Sequence, residues 1–243
     1  MQPLLYRELV PWYRLVDPTA DHLDEVECYQ AALEGAASPR PETLLELGAG
    51  AGNNAFHLKR RFRCTLADIS ETMLGLSREL NPECEHIVGD MRSMRMDTVF
   101  DAVLVHDAVM YLTTEEQLEA AALTAFTHTR PGGATVFDPD YVRETFHESH
   151  QVLTGDDGAR ALRCLEWTWD PNPNDSTYAV EYAFLLRDGT NMRTVHDRHE
   201  EGLFRRSTWL DVLSSTGYRV QTAPRKLREG FADEIFVCRK PLL

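Results

Sequence analysis

Apolar residues recur at Leu9, Trp12, Tyr13 and Val16, the spacing of one face of a helix. A second helical stretch runs from about residue 21 to residue 33, before Gly35, Ser38, Pro39 and Pro41 interrupt it. Residues 1–40 therefore read as a helical cap. From 41 to 140 short apolar runs alternate with helical ones. Strands are predicted over residues 43–47, 63–66, 85–88, 100–105 and 134–137. Helices are predicted over 53–61, from a Ser70 cap to Leu80, and from a cap at Thr113 or Thr114 to about Thr129. The run 100–105 is nearly all apolar, as expected of a strand covered on both faces. Such alternation predicts an α/β fold with a doubly wound, mostly parallel sheet.

The pattern changes after Asp140. Residues 163–169, 178–186 and 193–200 favour β structure, and Asp188-Gly189 is a hairpin signal. Residues 141–204 are thus expected to be an antiparallel β insert. Residues 205–243 then return to a helix over 207–216, capped by Gly217, and to closing strands near 218–221 and 234–238.

Composition narrows the partners. The 243 residues carry a formal net charge of -14, a field that repels phosphate backbones, so nucleic acid is not an expected partner. No apolar run approaches the roughly 20 residues that span a bilayer. The N-terminus carries charge where a signal peptide needs an apolar core. Five scattered cysteines form no C-x-x-C pair, which suits a reducing compartment. A cytoplasmic enzyme acting on a small molecule, away from membranes, is the expectation. Edge strands of the insert could pair two copies into a homodimer.

The strongest chemical signal is Glu46-Leu47-Gly48-Ala49-Gly50-Ala51-Gly52, which follows a predicted strand and opens a helix. Glycines let the backbone turn sharply and let a ligand lie against it. Dinucleotide enzymes carry G-x-G-x-x-G here; this chain has Asn53 at the third glycine position, which argues against a nicotinamide oxidoreductase. Asp68, at the end of the second predicted strand, can bind both hydroxyls of a ribose. Gly89-Asp90-Met91, after the third, can read an adenine.

These segments resemble the ordered motifs of class I S-adenosylmethionine-dependent methyltransferases. Residues 46–52 resemble E/D-x-G-x-G-x-G. Asp68-Ile69-Ser70-Glu71-Thr72-Met73-Leu74 resembles D-x-S-x-x-M-L, and Arg130-Pro131-Gly132-Gly133 the turn before the fifth strand. The resemblance implies a Rossmann-like, seven-stranded sheet with S-adenosylmethionine as cofactor. It implies that Glu46, Gly48, Ala49 and Gly50 hold the methionine part and that Asp68 binds the ribose. Met73 or Ile69 would pack on the adenine, Asp90 would take its amino group, and Met91 would supply a backbone N–H. His106 lies where a backbone carbonyl holds the cofactor amine, and Tyr6 and Tyr13 would cover the carboxylate.

A narrower resemblance, to sugar N,N-dimethyltransferases of the deoxyamino-sugar type, rests on further segments. They are Tyr6-Arg7-Glu8-Leu9 through Tyr13, Gly89-Asp90-Met91-Arg92, Tyr111-Leu112, Glu144-Thr145-Phe146 and His199-Glu200-Glu201-Gly202-Leu203-Phe204. The stretch Val105-His106-Asp107-Ala108-Val109-Met110 departs from the Ser-rich segment of those enzymes.

Methyl transfer from a sulfonium expels a neutral thioether, so no acid is needed. The enzyme must align a nucleophile with the methyl carbon. An amine must be neutral to attack, and a base assists. Candidate bases are His106, Asp107, His196 and His199; each histidine could instead make a structural bond, His106 a backbone contact to the cofactor. The His196-Asp197-Arg198-His199 spacing lacks further ligands for a metal site. Asp107, Tyr111, Tyr141, Trp167 and Trp169 are candidates for the acceptor wall, although Trp167 and Trp169 share one strand face and suit core or dimer surface equally. Methylation at nitrogen is the first expectation. O-methylation of a small metabolite and a non-catalytic cofactor-binding module are the alternatives.

Overall fold

The computed structural model describes residues 3–226 and 232–242. The chain opens with short 3₁₀ turns at Leu4–Tyr6 and Val10–Trp12, helix α1 at Tyr13–Val16, a further 3₁₀ turn at Thr19–His22 and helix α2 at Leu23–Ala36. The predicted alternation follows: β1 Thr43–Leu47, α3 Asn53–Leu58, β2 Arg63–Asp68, α4 Glu71–Leu80, β3 Glu85–Val88, β4 Phe100–His106, a 3₁₀ turn at Ala108–Tyr111, α5 Glu115–His128 and β5 Thr129–Asp138. The antiparallel strands are β6 Ser149–Asp156, β7 Arg160–Trp169, β8 Thr177–Asp188 and β9 Asn191–Gly202. Helix α6, Arg206–Ser215, and strands β10, Arg219–Lys226, and β11, Ala232–Arg239, complete the chain.

Among the described residues two sheets form. The larger has seven strands in the order β10-β11-β5-β4-β1-β2-β3, with β11 alone antiparallel to its neighbours. The doubly wound α/β expectation holds. Apolar residues fill both faces. On one side α5 and α6 pack through Leu118, Ala122 and Trp209. On the other, Tyr29 and Leu33 of α2 and Leu58 of α3 cover Leu44, Leu66 and Leu104. The smaller sheet, β6-β7-β8-β9, stands over the carboxyl ends of the parallel strands, touching the turn after β4.

Three elements differ from expectation, each for a local reason. The 9–16 stripe is carried by short turns rather than one helix, because Pro11 donates no backbone hydrogen bond. Leu9 and Trp12 are nonetheless buried. Strand β6 went unpredicted because its residues are mostly polar and exposed. Residues 130–133, expected as a turn, lie within β5 as a bulge, where pairing jumps from Phe100–Thr129 to Ala102–Ala134.

Candidate functional site

Strand order reverses between β1 and β4, and ligands of such sheets bind beyond the strand tips at that point. A cavity of about 970 Å³ occupies this position. Its floor is the turn after β1. Gly48 adopts φ +81, and a Cβ there would lie 2.2 Å from the Cβ of Ala108. The missing side chain thus lets the turn after β4 press directly on the glycine turn. Beside it Glu46 is buried, and its Oε2 has no hydrogen-bond partner among the described residues. Burial pushes its carboxyl up to about 7, against the pull of His106.

Asp68 ends β2 and faces the same cavity. Its Oδ2 accepts the Gly50 N–H at 2.8 Å and its Oδ1 the Ser70 N–H at 2.7 Å. A carboxylate offers about four acceptor positions, so capacity remains for hydroxyl donors. Burial raises its pKa against the backbone hydrogen bonds of Ser70, Gly50 and Ile69. Ile69 and Met91 line the cavity, and Met73 packs beneath Gly50. Asp90 stands at the rim, but its carboxylate is engaged by the backbone and guanidinium of Arg92, at 2.6 Å for the closest contact. That pairing holds Asp90 below the usual carboxylate range. An adenine amino group would have to share Asp90 with Arg92.

The N-terminal segment forms the roof. Leu5, Leu9 and Trp12 pack on Leu162, Cys164 and Phe184 of the small sheet. Val10 packs on Ala51 and Met73 at the cofactor end. Tyr6 and Tyr13 line the cavity, their rings 6.2 Å apart. Below them His22 presents Nε2 to Asp17 at 2.7 Å and Nδ1 to the side-chain amide oxygen of Asn54 at 3.0 Å. Both nitrogens therefore donate, as in an imidazolium. Burial opposes that charge, yet Asp17 raises the His22 pKa to about 9. Because the folded value exceeds the ordinary 6.5, this pair stabilises the protein fully below about pH 6.5 and loses its effect as pH rises through about 9. The melting temperature of the wild type is expected to fall more steeply over that interval than that of His22→Gln. Parallel curves would contradict the assignment.

The far wall is the inner face of the small sheet. In β9 the residues Asp197, His199 and Glu201 point inward and are buried. His199 Nδ1 lies 2.8 Å from the Tyr111 hydroxyl, which lies 2.8 Å from the Tyr6 hydroxyl; His199 Nε2 faces Asp197 at 3.2 Å. Asp197 also accepts the Leu5 N–H at 2.8 Å, tying the roof to β9. His199 thus sits behind Tyr6, Tyr111 and Tyr182, outside the cavity lining. It hydrogen-bonds Tyr111 and does not line the space the tyrosines enclose.

Other sequence candidates are placed elsewhere. His196 points away from the cleft, exposed and paired with Glu181 at 2.7 Å. Trp167 and Trp169 occupy the outer face of β7; the indole N–H of Trp167 donates to Glu148, and neither residue lines the cavity. Tyr141 packs against Phe146 and Tyr178, outside the lining. His106 lines the cavity, but its Nδ1 accepts from Asn54 at 3.0 Å. The lone pair a base would need is occupied.

The sequence reading missed Asp140, Glu166, Tyr182 and Glu201, all of which line the cavity. Tyr178 donates a hydrogen bond to Glu201. Burial, then repulsion from Asp140, pushes Glu201 up to about 7. The usable signal was period two: Asp197, His199 and Glu201 fall on one strand face.

Residues 44–133 match the family model described as a methyltransferase domain. The chain is 30% identical over 197 residues to the dTDP-3-amino-3,4,6-trideoxy-alpha-D-glucopyranose N,N-dimethyltransferase of Streptomyces venezuelae, covering 79% of this chain and 81% of that one. It is 26% identical over 197 residues to the dTDP-3-amino-3,6-dideoxy-alpha-D-glucopyranose N,N-dimethyltransferase of Streptomyces fradiae, covering 80% and 76%. The crystal structure of Streptomyces venezuelae DesVI superposes with a TM-score of 0.78 at 25% identity, over 96% of both chains. The seven-stranded sheet and the cleft beside its glycine turn define a class I methyltransferase that uses S-adenosylmethionine. The chain belongs to the family of these sugar N,N-dimethyltransferases.

The cleft fits that cofactor on its own geometry. The unpartnered Glu46 oxygen suits a methionine ammonium. The glycine turn admits a chain lying against backbone, and the spare Asp68 positions suit two ribose hydroxyls. No described helix is long and apolar enough to cross a membrane.

Proposed function

We propose that the protein methylates the amino group of a deoxyamino sugar, in the cavity between the glycine turn and the small antiparallel sheet. The observation that carries this reading is the continuity of that cavity. One space joins Glu46, Gly48 and Asp68 to a second end walled by Tyr6, Tyr111, Tyr182 and Glu201. A donor at the first end and an amine at the second would meet without crossing solvent.

S-adenosylmethionine, when bound, supplies an electrophilic methyl group. Glu46 and the backbone of Gly48, Ala49 and Gly50 would hold its amino-acid end, and Asp68 its ribose. Ile69, Met73 and Met91 would pack around the adenine, with Asp90 and Arg92 at its edge. The tyrosines present ring faces to a sugar and attract a cation. Carboxylates outnumber cations at the acceptor end, which favours an amine over a neutral hydroxyl. The roof of Tyr6 and Tyr13 would exclude water and align the nitrogen with the methyl carbon, which supplies several kcal/mol of the barrier.

The reading includes residence in a reducing cytoplasm, in keeping with the free cysteines. It also includes pairing of two copies through the outer face of the small sheet, where Val152, Leu165, Trp167 and Leu185 are exposed together.

The test is mass spectrometry after incubation with S-adenosylmethionine and dTDP-3-amino-3,6-dideoxyglucose. Products heavier by one and then two methyl groups are expected, and none from the 3-hydroxy analogue. Transfer to the hydroxy analogue alone would favour O-methylation and overturn the amine reading.

A further inference from the structure

The loop after β4 carries a feature that the histidine candidates obscured. Asp107 has φ 54 and ψ −65, and it is the only non-glycine residue with positive φ among those described. This is the region of the strained three-residue turn, where residues persist only when the surroundings hold them. Two contacts hold this one. Asp107 N–H donates to the Asp138 carbonyl at 3.3 Å, and its own carbonyl accepts the Met110 N–H at 2.8 Å. Ala108, the next residue, presses on Gly48. The strain therefore fixes Asp107 beside the cofactor turn, its side chain exposed to the cavity space.

A second carboxyl meets it there. Asp140, just beyond β5, lines the same cavity and hydrogen-bonds the Asp107 side chain. Two carboxyls joined by a hydrogen bond do not both ionise easily, so they hold one proton between them, which Asp140 donates to Asp107. Other charged groups face the pair from each packed element. Asp17 and His22 lie on the N-terminal segment and Glu25 on α2; His106 ends β4, Glu201 is on β9 and Arg225 on β10. Burial, then Glu25 and Asp17, pushes Asp107 up to about 7, and burial and Asp107 push Asp140 well above its ordinary value.

We infer that Asp107, paired with Asp140, is the base that deprotonates the acceptor ammonium. The inference rests on the amine reading above. The ammonium N–H bond breaks, its electron pair stays on nitrogen, and the proton passes to the ionised carboxylate of the pair. The freed lone pair then forms the N–C bond as the S–C bond breaks, its electrons remaining on the neutral thioether. Histidine is not required: His106 is bonded to Asn54, His196 faces away, and His199 lies behind the tyrosine wall.

Asp107→Asn keeps the side-chain shape, and asparagine tolerates positive φ. With S-adenosylmethionine and dTDP-3-amino-3,6-dideoxyglucose, it is expected to lower kcat about 100-fold or more. S-adenosylhomocysteine affinity is expected to stay within about threefold, since no cofactor contact is removed. Asp140→Ala removes the hydrogen bond that steadies ionised Asp107, so the acid limb of kcat against pH is expected to move to higher pH. Wild-type kcat in Asp107→Asn, or an acid limb unmoved in Asp140→Ala, would overturn the inference. Should the wild type leave this sugar unmethylated, the acceptor reading fails separately. The pair is then read by carboxyl-carbon NMR on the S-adenosylhomocysteine complex. A carboxyl titrating near neutrality and absent from Asp107→Asn supports it; no such titration overturns it.

Discussion

Gly48→Ala is expected to weaken S-adenosylmethionine binding by about 100-fold. Two costs combine. An alanine at φ +81 is strained by roughly 1–2 kcal/mol. Its Cβ would also lie 2.2 Å from that of Ala108, and such overpacking costs about 1–3 kcal/mol. Relief requires the turn Ala108–Tyr111 to withdraw, carrying Asp107 with it. Part of the cost falls on folding, so calorimetric affinity and melting temperature must be measured together. Gly35→Ala is the control. Gly35 lies in α2 with nothing within 4 Å of an added Cβ, and removing a helical glycine stabilises by about 0.5–1 kcal/mol. Cofactor affinity in Gly48→Ala equal to that of Gly35→Ala would remove the glycine turn from the cofactor site.

The second large effect is expected at Asp68. Its carboxylate holds the N–H groups of Gly50 and Ser70 and, in the proposed complex, the ribose. Asp68→Ala leaves those donors unmatched, at about 1–3 kcal/mol each when buried. Affinity for S-adenosylhomocysteine is expected to drop at least tenfold. Asp68→Asn should fall less, because its amide oxygen still accepts one bond. An unchanged dissociation constant in Asp68→Ala would separate this residue from the cofactor.

Much of the cofactor end was legible because its residues are contiguous. Glu46 through Gly52 follow a strand of buried leucines, and Asp68 follows the next. In a parallel sheet the strand tips lie side by side, so linear motifs converge without knowledge of tertiary structure. The acceptor end lacks that property. Glu166, Tyr182 and Glu201 come from three antiparallel strands, each alternating with outward residues. A shift of one residue exchanges the faces. Trp167 neighbours Glu166 and His196 neighbours Asp197, so the wrong member of each pair looked chemical. The register decides the matter for Trp167: it pairs with Glu181, the partner of exposed His196, on the outer face. Asp140 was hidden differently: nothing in the chain announces that it meets Asp107 across a strand end.

A crystal structure with S-adenosylhomocysteine and a 3-amino sugar nucleotide tests the central claim most directly. The account predicts ribose hydroxyls on Asp68, the sulfur beside the Gly48–Ala108 contact, and the sugar nitrogen between that sulfur and Asp107. A nitrogen bound on the far side of the tyrosine wall, or a nucleoside lying away from Asp68, would contradict it.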